Sequence, residues 1–301
     1  MRSIRSVPIV KNHVRRRAWF VPYLFLAPGF VLLILWNYIP ALYAIWISLT
    51  NAAPGNSSQF IGFANYSRLL SDPSFWHSLL RSFEYLLVVP FLVIIPLLLA
   101  VLMNQRLPGV GVFRTLYFLP VVLSMVVVAI VFSELFQTLG LLNSGLMSIH
   151  VISQPISWLA IPSIAIFVVM LVTIWKGIGY YMIVYLAGLQ TVPQELIDSA
   201  KVDGANLLAR IRHILVPILW PFMMFVMIMA TLGAMQVFTE IYVLTGGGPL
   251  QSTTTLLFYV YQTTFSNYQF GYGAAAGEII FVLLIAISYL EFRLSGKRWT
   301  T

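Results

Sequence analysis

Six apolar runs of about twenty residues each limit what this chain can fold into. A run of that length crosses a hydrocarbon layer as a helix, because only a helix satisfies its own backbone there. The runs lie at Trp19 to about Leu49, then near Phe83–Met103, Phe113–Phe136, Ile161–Leu186, Ile214–Val237 and Ala274–Phe292. Composition agrees: 9% of the residues are charged, against about 25% in soluble domains. The expected fold class is an all-α integral membrane protein with six transmembrane helices. Residues 1–18 form a basic tail, and residues 19–301 a single six-span domain. The first run exceeds a signal-peptide core of roughly 7–15 residues and reads as a retained span. Pro22, Pro28 and Pro40 imply kinks in it.

Lys and Arg orient the spans. With the N-terminus inside, the inner segments carry Arg2, Arg5, Lys11, Arg15, Arg16, Arg17, Arg106, Arg114, Lys201, Arg210, Arg212, Arg293, Lys297 and Arg298. Of the 17 basic residues, only Arg68 and Arg81 fall outside and Lys176 within a span. Both termini are therefore expected to be cytoplasmic. A net charge of +8 distributed in this way marks topology, not a nucleic-acid surface. Two outer segments have structure of their own. Asp72-Pro73 is a helix start, and Phe75, Trp76, Leu79 and Leu80 suit a helix lying in the interface. Thr245-Gly246-Gly247-Gly248-Pro249 is a turn, followed by Leu256, Leu257, Val260, Tyr261 and Phe265 on one helical face.

Several chemistries are excluded. No G-x-x-x-x-G-K-[ST] occurs, so no nucleotide phosphate is cradled by that device. Neither H-E-x-x-H nor G-x-S-x-G occurs, the histidines (His13, His77, His150, His213) are scattered, and cysteine is absent. Catalytic and metal-binding residues are expected to be none. Glu84, Glu134, Glu240 and Glu278 thread to the outer ends of spans, where water reaches them. Lys176 sits near the middle of the fourth span. There it either lines a pathway or pairs at a helix interface. Trp175, Tyr180, Tyr181 and Tyr185 are aromatic candidates for a cavity wall, against packing as the alternative. Gln236 and Glu240 follow at the outer end of the fifth span.

The longest polar interruption of the second half runs from Thr191 to Pro221. Thr191 with Gln194 makes a capping box, and Pro193 suits a first turn. Glu195 and Asp198 lie toward the positive end of that helix. Asp203-Gly204 breaks the run, and Asp203 can cap a second helix through Asn206 to Leu215. Such a bend reads as a docking element on the membrane surface; the alternative is an ordinary connection between spans.

Val192-Pro193-x-Glu195-Leu196-Ile197-Asp198-Ser199-Ala200-x-Val202-Asp203-Gly204-Ala205, with Ile214-x-x-Pro217, resembles the "EAA" loop. That loop belongs to the permease subunits of binding-protein-dependent ATP-binding cassette (ABC) importers. Here Asp198-Ser199-Ala200 stands where the family has Glu-Ala-Ala. Phe60-Ile61-Gly62-Phe63-x-Asn65-Tyr66, Phe113-Arg114-Thr115-Leu116, Leu119-Pro120, Gly140-Leu141-Leu142-Asn143, Trp175-Lys176-Gly177, Ala187-Gly188-Leu189-Gln190 and Thr245-Gly246-Gly247-Gly248-Pro249 are similar to the carbohydrate subfamily, that of maltose and glycerol-phosphate importers.

The resemblance implies a type I importer permease fold in a prokaryotic cytoplasmic membrane. It implies a second permease subunit, usually a different one, and two ATPase subunits. ATP and Mg are bound by those partners, with no cofactor in this chain. It also implies an extracytoplasmic solute-binding protein and a sugar-type substrate. Glu195, Asp198, Ser199, Ala200, Asp203, Gly204 and Ala205, within a coupling loop over residues 191–217, would meet an ATPase subunit. Trp175, Lys176, Tyr180, Tyr181, Gln236 and Glu240 would face the substrate pathway. The alternative is a secondary transporter or channel, which would show a mid-depth carboxylate or an inverted repeat; neither is evident.

Overall fold

The computed structural model describes residues 21–105 and 108–296. The tail 1–18, with Arg2, Arg5, Lys11, Arg15, Arg16 and Arg17, lies outside the described residues, as do Arg106, Lys297 and Arg298. The chain divides into two units, Met1–Trp46 and Ile47–Thr301.

In the first unit, helix α1 (Val21–Leu33) passes through a π turn, Ile34–Tyr38, into α2 (Ile39–Ser48), whose last residues belong to the second unit. The widened turn falls just before Pro40, which has no N–H to donate back along an α-helix. Its described helices, Val21 onward, are apolar but for Asn37 and the tyrosine hydroxyls, as a helix in hydrocarbon can be.

The second unit is helical throughout its spans. Among the described residues the only β pairing is an isolated bridge, Thr50 to Phe60. Helix α3 (Ala64–Leu70) leads to α4 (Pro73–Tyr85) and α5 (Val88–Met103). Helices α6 (Val110–Val122) and α7 (Met125–Leu135) meet at 99°. A short α8 (Leu141–Ser148) precedes the long α9 (Ala165–Leu189). Then come α10 (Gln194–Val202) and α11 (Leu207–Arg210), which runs through a π turn at Ile211–Leu215 into α12 (Val216–Met235). The short helices α13 (Thr239–Leu244) and α14 (Leu256–Tyr261) lead into the last span, α15 (Phe270–Gly296). Across both units, five helices are long and apolar enough to span, and the bent α6–α7 pair makes a sixth.

Three sequence expectations are corrected by the fold. The third span is not continuous over Phe113–Phe136. Leu123 and Ser124 are extended (ψ 141° and 138°), and Pro120 removes one amide from the last turn of α6. The segment after Asp72-Pro73 is not a separate interfacial helix. Asp72 caps it as expected, accepting from the Ser74 amide at 2.8 Å. It then continues into α5 as one 31-residue rod. Tight turns at Leu86 and Leu87, bonded to Phe83 and Glu84, absorb the missing amide of Pro90. Finally, the buried face of α14 is Leu256, Phe258 and Tyr259. A π turn at Gln262–Ser266 shifts the helical register, so Phe265 faces out.

The core runs down α5, α9 and α12. Val88 and Leu92 pack with Ile166, Val169, Ala230 and Ala234, and further along α5 Leu97 and Ala100 pack with Met182, Tyr185, Leu189 and Leu219. Small residues permit the close helix approaches. A Cβ at Gly179 would stand 2.0 Å from the Tyr117 carbonyl oxygen, and one at Gly188 2.8 Å from the Phe222 ring. A third cluster, Leu69, Phe75, Leu256, Tyr259, Tyr272 and Ala276, joins α3 and α4 to α14 and α15. Asp72 ties it, accepting from the Tyr259 hydroxyl at 2.6 Å and the Tyr272 hydroxyl at 2.9 Å. Burial pushes its carboxyl up. The hydrogen bonds from Tyr259, Tyr272 and the Ser74 and Phe75 backbone outweigh that and leave it below the ordinary value.

Candidate functional site

The loop between the fourth and fifth spans is a helix, a left-handed turn and a second helix start. The capping box at its head does not form. Thr191 Oγ1 donates instead to the Gly188 carbonyl at 2.7 Å, which the Thr191 amide also bonds at 3.0 Å. Gln194 turns to Asp198 at 3.2 Å, and Pro193 sits at the N-cap of α10 without a side-chain bond. The far end closes on Gly204, whose φ is +78°. The Ala205 amide bonds the Ala200 carbonyl at 2.9 Å and the Gly204 amide the Lys201 carbonyl at 3.1 Å. That pair of bonds is a Schellman motif, which needs a residue at ease with positive φ. Asp203 closes α10 and does not cap the next helix. Asn206 does so, its Oδ1 accepting from the Ala209 amide at 2.8 Å. The second helix also runs on past Leu215 as one 29-residue span to Met235.

Glu195, Asp198, Ser199, Ala200, Asp203, Gly204 and Ala205 thus share one helix and its closing turn. Ala200 and Ala205 are half-buried and the other five are exposed. Lys201 donates to Asp198 at 2.8 Å. That bond, and then the one from Gln194, hold the Asp198 carboxyl below its ordinary value, so it stays ionised. Beside these charges stand apolar residues with nothing over them: Leu196 is 48% exposed, Leu208 72% and Val202 89%. Uncovered apolar side chains on a short polar element suit contact with another surface. Behind α10 a cleft of about 670 Å³ opens toward the C-terminal ends of α5 and α9, lined by Asn104, Gln105, Ile197 and Arg210 among others. Sequence reasoning did not pick out this cleft, because it needs the end of α5 folded against residues 189–215.

The mid-span candidates sit on α9. Lys176 Nζ donates to the Leu123 carbonyl at 3.0 Å, at the break between α6 and α7. The Trp175 ring meets Phe132 edge-on with centroids 5.0 Å apart, and the rings of Tyr180 and Tyr181 meet edge-on at 5.2 Å. Tyr180 is exposed and Tyr181 half-buried. Tyr185 is fully buried in the cluster of Leu97, Met182 and Leu219, so it is packing and not a cavity wall. Gln236 is exposed at the end of α12. Glu240 accepts from Thr173 at 3.4 Å, and Thr173 shares a 2.6 Å hydrogen bond with Tyr85. This chain of polar groups joins α4, α9 and α13. Tyr85 and Thr173 were missed; their signal was a hydroxyl in an otherwise apolar run. Glu84 pairs with Arg81, and Glu134 accepts from Gln137 at 2.8 Å.

Among known proteins, the lactose transport system permease protein LacF of Rhizobium radiobacter is 35% identical over 281 residues, covering 92% of this chain and 94% of that protein. The arabinooligosaccharides transport system permease protein AraP of Bacillus subtilis is 32% identical, covering 92% and 88%. The trehalose/maltose transport system permease protein MalF of Thermococcus litoralis is 31% identical, covering 92% and 94%. Among solved structures, a bacterial ABC transporter involved in the import of the acidic polysaccharide alginate superimposes with TM-score 0.82 at 24% identity, over 95% of this chain and 98% of that one. The same transporter type in complex with an alginate pentasaccharide-bound periplasmic protein gives 0.83 at 24% identity, over 95% and 97%. The fold is therefore that of ABC importer permeases. The family pattern described as "Binding-protein-dependent transport system inner membrane component" matches residues 61–301. On that match, and on relatives above 30% identity along nine-tenths of its length, the chain belongs to this family of multi-pass permeases.

Proposed function

We propose that this chain is one of two permease subunits of an importer for a sugar or sugar derivative, driven by ATPase subunits docked on residues 191–217. The observation that carries the coupling role is the Gly204-closed helix with Leu196, Val202 and Leu208 uncovered beside Asp198. A connector between spans has no reason to expose such residues, whereas a surface received in a partner's cleft has. Glu195, Asp198, Ser199, Ala200, Asp203, Gly204 and Ala205 form that surface. ATP and Mg bind to the partners; this sequence carries no phosphate loop. Sugar is favoured because three relatives are transport permeases for lactose, arabinooligosaccharides and trehalose or maltose. A solute-binding protein delivers it, as in the complex of the structural neighbour. On this reading Trp175, Lys176, Tyr180, Tyr181, Gln236 and Glu240 edge the pathway, and the second permease completes it.

The orientation is part of the proposal: both termini and the Thr191–Pro217 loop are cytoplasmic, in a prokaryotic inner membrane. Charge distribution supports it. The chain has no cysteine, so single cysteines report cleanly. Cysteines at Ser57, Ser148 and Ser266, all exposed, are expected to react with an impermeant maleimide in intact cells, and one at Ser199 only after lysis. Reaction at Ser199 in intact cells contradicts the orientation. The ATPase partnership is tested by purification: tagged chain from its native host is expected to bring an ATP-hydrolysing subunit with it. A chain that purifies without one, and without ATPase activity, contradicts the function.

A further inference from the structure

We propose that Lys176 is a positioning residue that holds the third span bent. The two halves of that span, α6 and α7, meet at 99° across Leu123 and Ser124. Extended backbone at membrane depth leaves the Leu123 carbonyl without a helical partner, and an unpartnered carbonyl there is costly. Ser124 heads α7 without a side-chain capping bond, so the break is not secured by its own side chains. The donor comes from α9: Lys176 Nζ reaches the Leu123 carbonyl at 3.0 Å, across 53 residues of sequence. Its charge also sits at the C-terminal end of α6, where the helix dipole is negative.

One turn of α9 grips the rest of the bent span. Gly179 lets α9 seat against the Tyr117 carbonyl in α6, and Trp175 lies edge-on to Phe132 in α7. Residues 175, 176 and 179 therefore touch the second half, the break and the first half in turn. Helix α7 packs in turn on α13, which carries Glu240. The ammonium is the polar point of this clamp; the other two points are packing. Without it the carbonyl must find another donor, and the bend is the part of the span free to move. Lys176 acts here through the backbone of Leu123 and need not touch the transported molecule.

The transport arm of the test rests on the importer reading; the distance arm does not, so the two can fail separately. Cysteines placed at Val112 and Val131, one on each half and both exposed, carry spin labels in the lipid-reconstituted complex with cysteine-free partners. Pulsed EPR then reads the distance across the bend. Lys176→Met removes the donor, and Lys176→Gln ends one bond short of it while remaining polar enough to assemble should Met fail. Both are expected to shift or broaden the distance. They are expected to lower the maximal uptake rate roughly tenfold, the weight of one hydrogen bond to a charged group. KM for labelled lactose, the sugar used as probe, is expected to stay within about twofold. Lys176→Arg, which keeps a charged donor of sufficient reach, is expected to restore both readouts. An unchanged distance in the Met or Gln variant overturns the proposal. So does a raised KM at unchanged maximal rate, which would make the ammonium a substrate ligand. A changed distance at unchanged uptake overturns it too, because the bend would then have no part in transport.

Discussion

Gly204→Val is expected to leave insertion of the chain near normal and to abolish the stimulation of ATP hydrolysis by substrate and binding protein in the assembled complex. Gly204 has nothing within 4 Å of the position a Cβ would take, so the effect is conformational and not steric. Its φ of +78° costs a β-carbon residue about 1–2 kcal/mol, and a β-branched one at least that. The strain is relieved only by opening the turn. Opening it breaks the Ala205–Ala200 and Gly204–Lys201 backbone bonds that set the direction in which α11 leaves α10. Leu208, beyond the turn, then no longer keeps its place relative to Leu196 and Val202 on α10. Spans insert by apolar length, which the substitution does not touch. Asp198→Ala is expected to do much less, because its bonds to Lys201 and Gln194 are exposed and screened. Equal and full stimulation in both variants would make the loop a simple connector.

Gly179→Ala is expected to be among the most damaging single-methyl changes in the chain. The added Cβ would fall 2.0 Å from the Tyr117 carbonyl oxygen and 3.1 Å from Val121 Cγ2. Backbone cannot swing aside as a side chain does, so α6 must back away from α9 along their shared face. Overpacking typically costs about 1–3 kcal/mol, and a backbone obstacle places this case at the upper end. Gly188→Ala meets the Phe222 ring, which can rotate, and is expected to cost less. Gly233→Ala meets nothing within 4 Å and serves as the neutral control. The measurement is the thermal midpoint of the detergent-purified complex. Equal midpoints for Gly179→Ala and Gly233→Ala would contradict the described α6–α9 contact.

The parts legible in the sequence are those set by one-dimensional rules. Span length in hydrocarbon needs only a run of apolar residues, and all six runs correspond to apolar helices or, once, to a helix pair. Gly204 and the turn at Thr245–Pro249 announced themselves by composition. The features that stayed hidden depend on competition between partners. Thr191 was within reach of two roles, and its hydroxyl turned back to the Gly188 carbonyl at the end of α9. Asp203 and Asn206 are both good caps; the Schellman turn left only Asn206 in position. The break at Leu123 lies in apolar sequence that hydropathy reads as continuous, and its donor is 53 residues away. Tyr185 showed the same aromatic chemistry as Tyr180, and only packing separates a buried ring from an exposed one.

The central claim is that this chain passes its substrate using ATP hydrolysed by partners that dock on its inner loop. It is tested most directly in proteoliposomes holding this chain, its partner permease, the ATPase subunits and the binding protein. Labelled sugar uptake is measured with MgATP on the cytoplasmic side and no ion gradient, and again with a proton or sodium gradient and no nucleotide. Uptake is expected with MgATP alone and to be lost on introducing Gly204→Val. Uptake driven by the gradient without nucleotide, or undiminished ATP-driven uptake by the Gly204→Val complex, would contradict it.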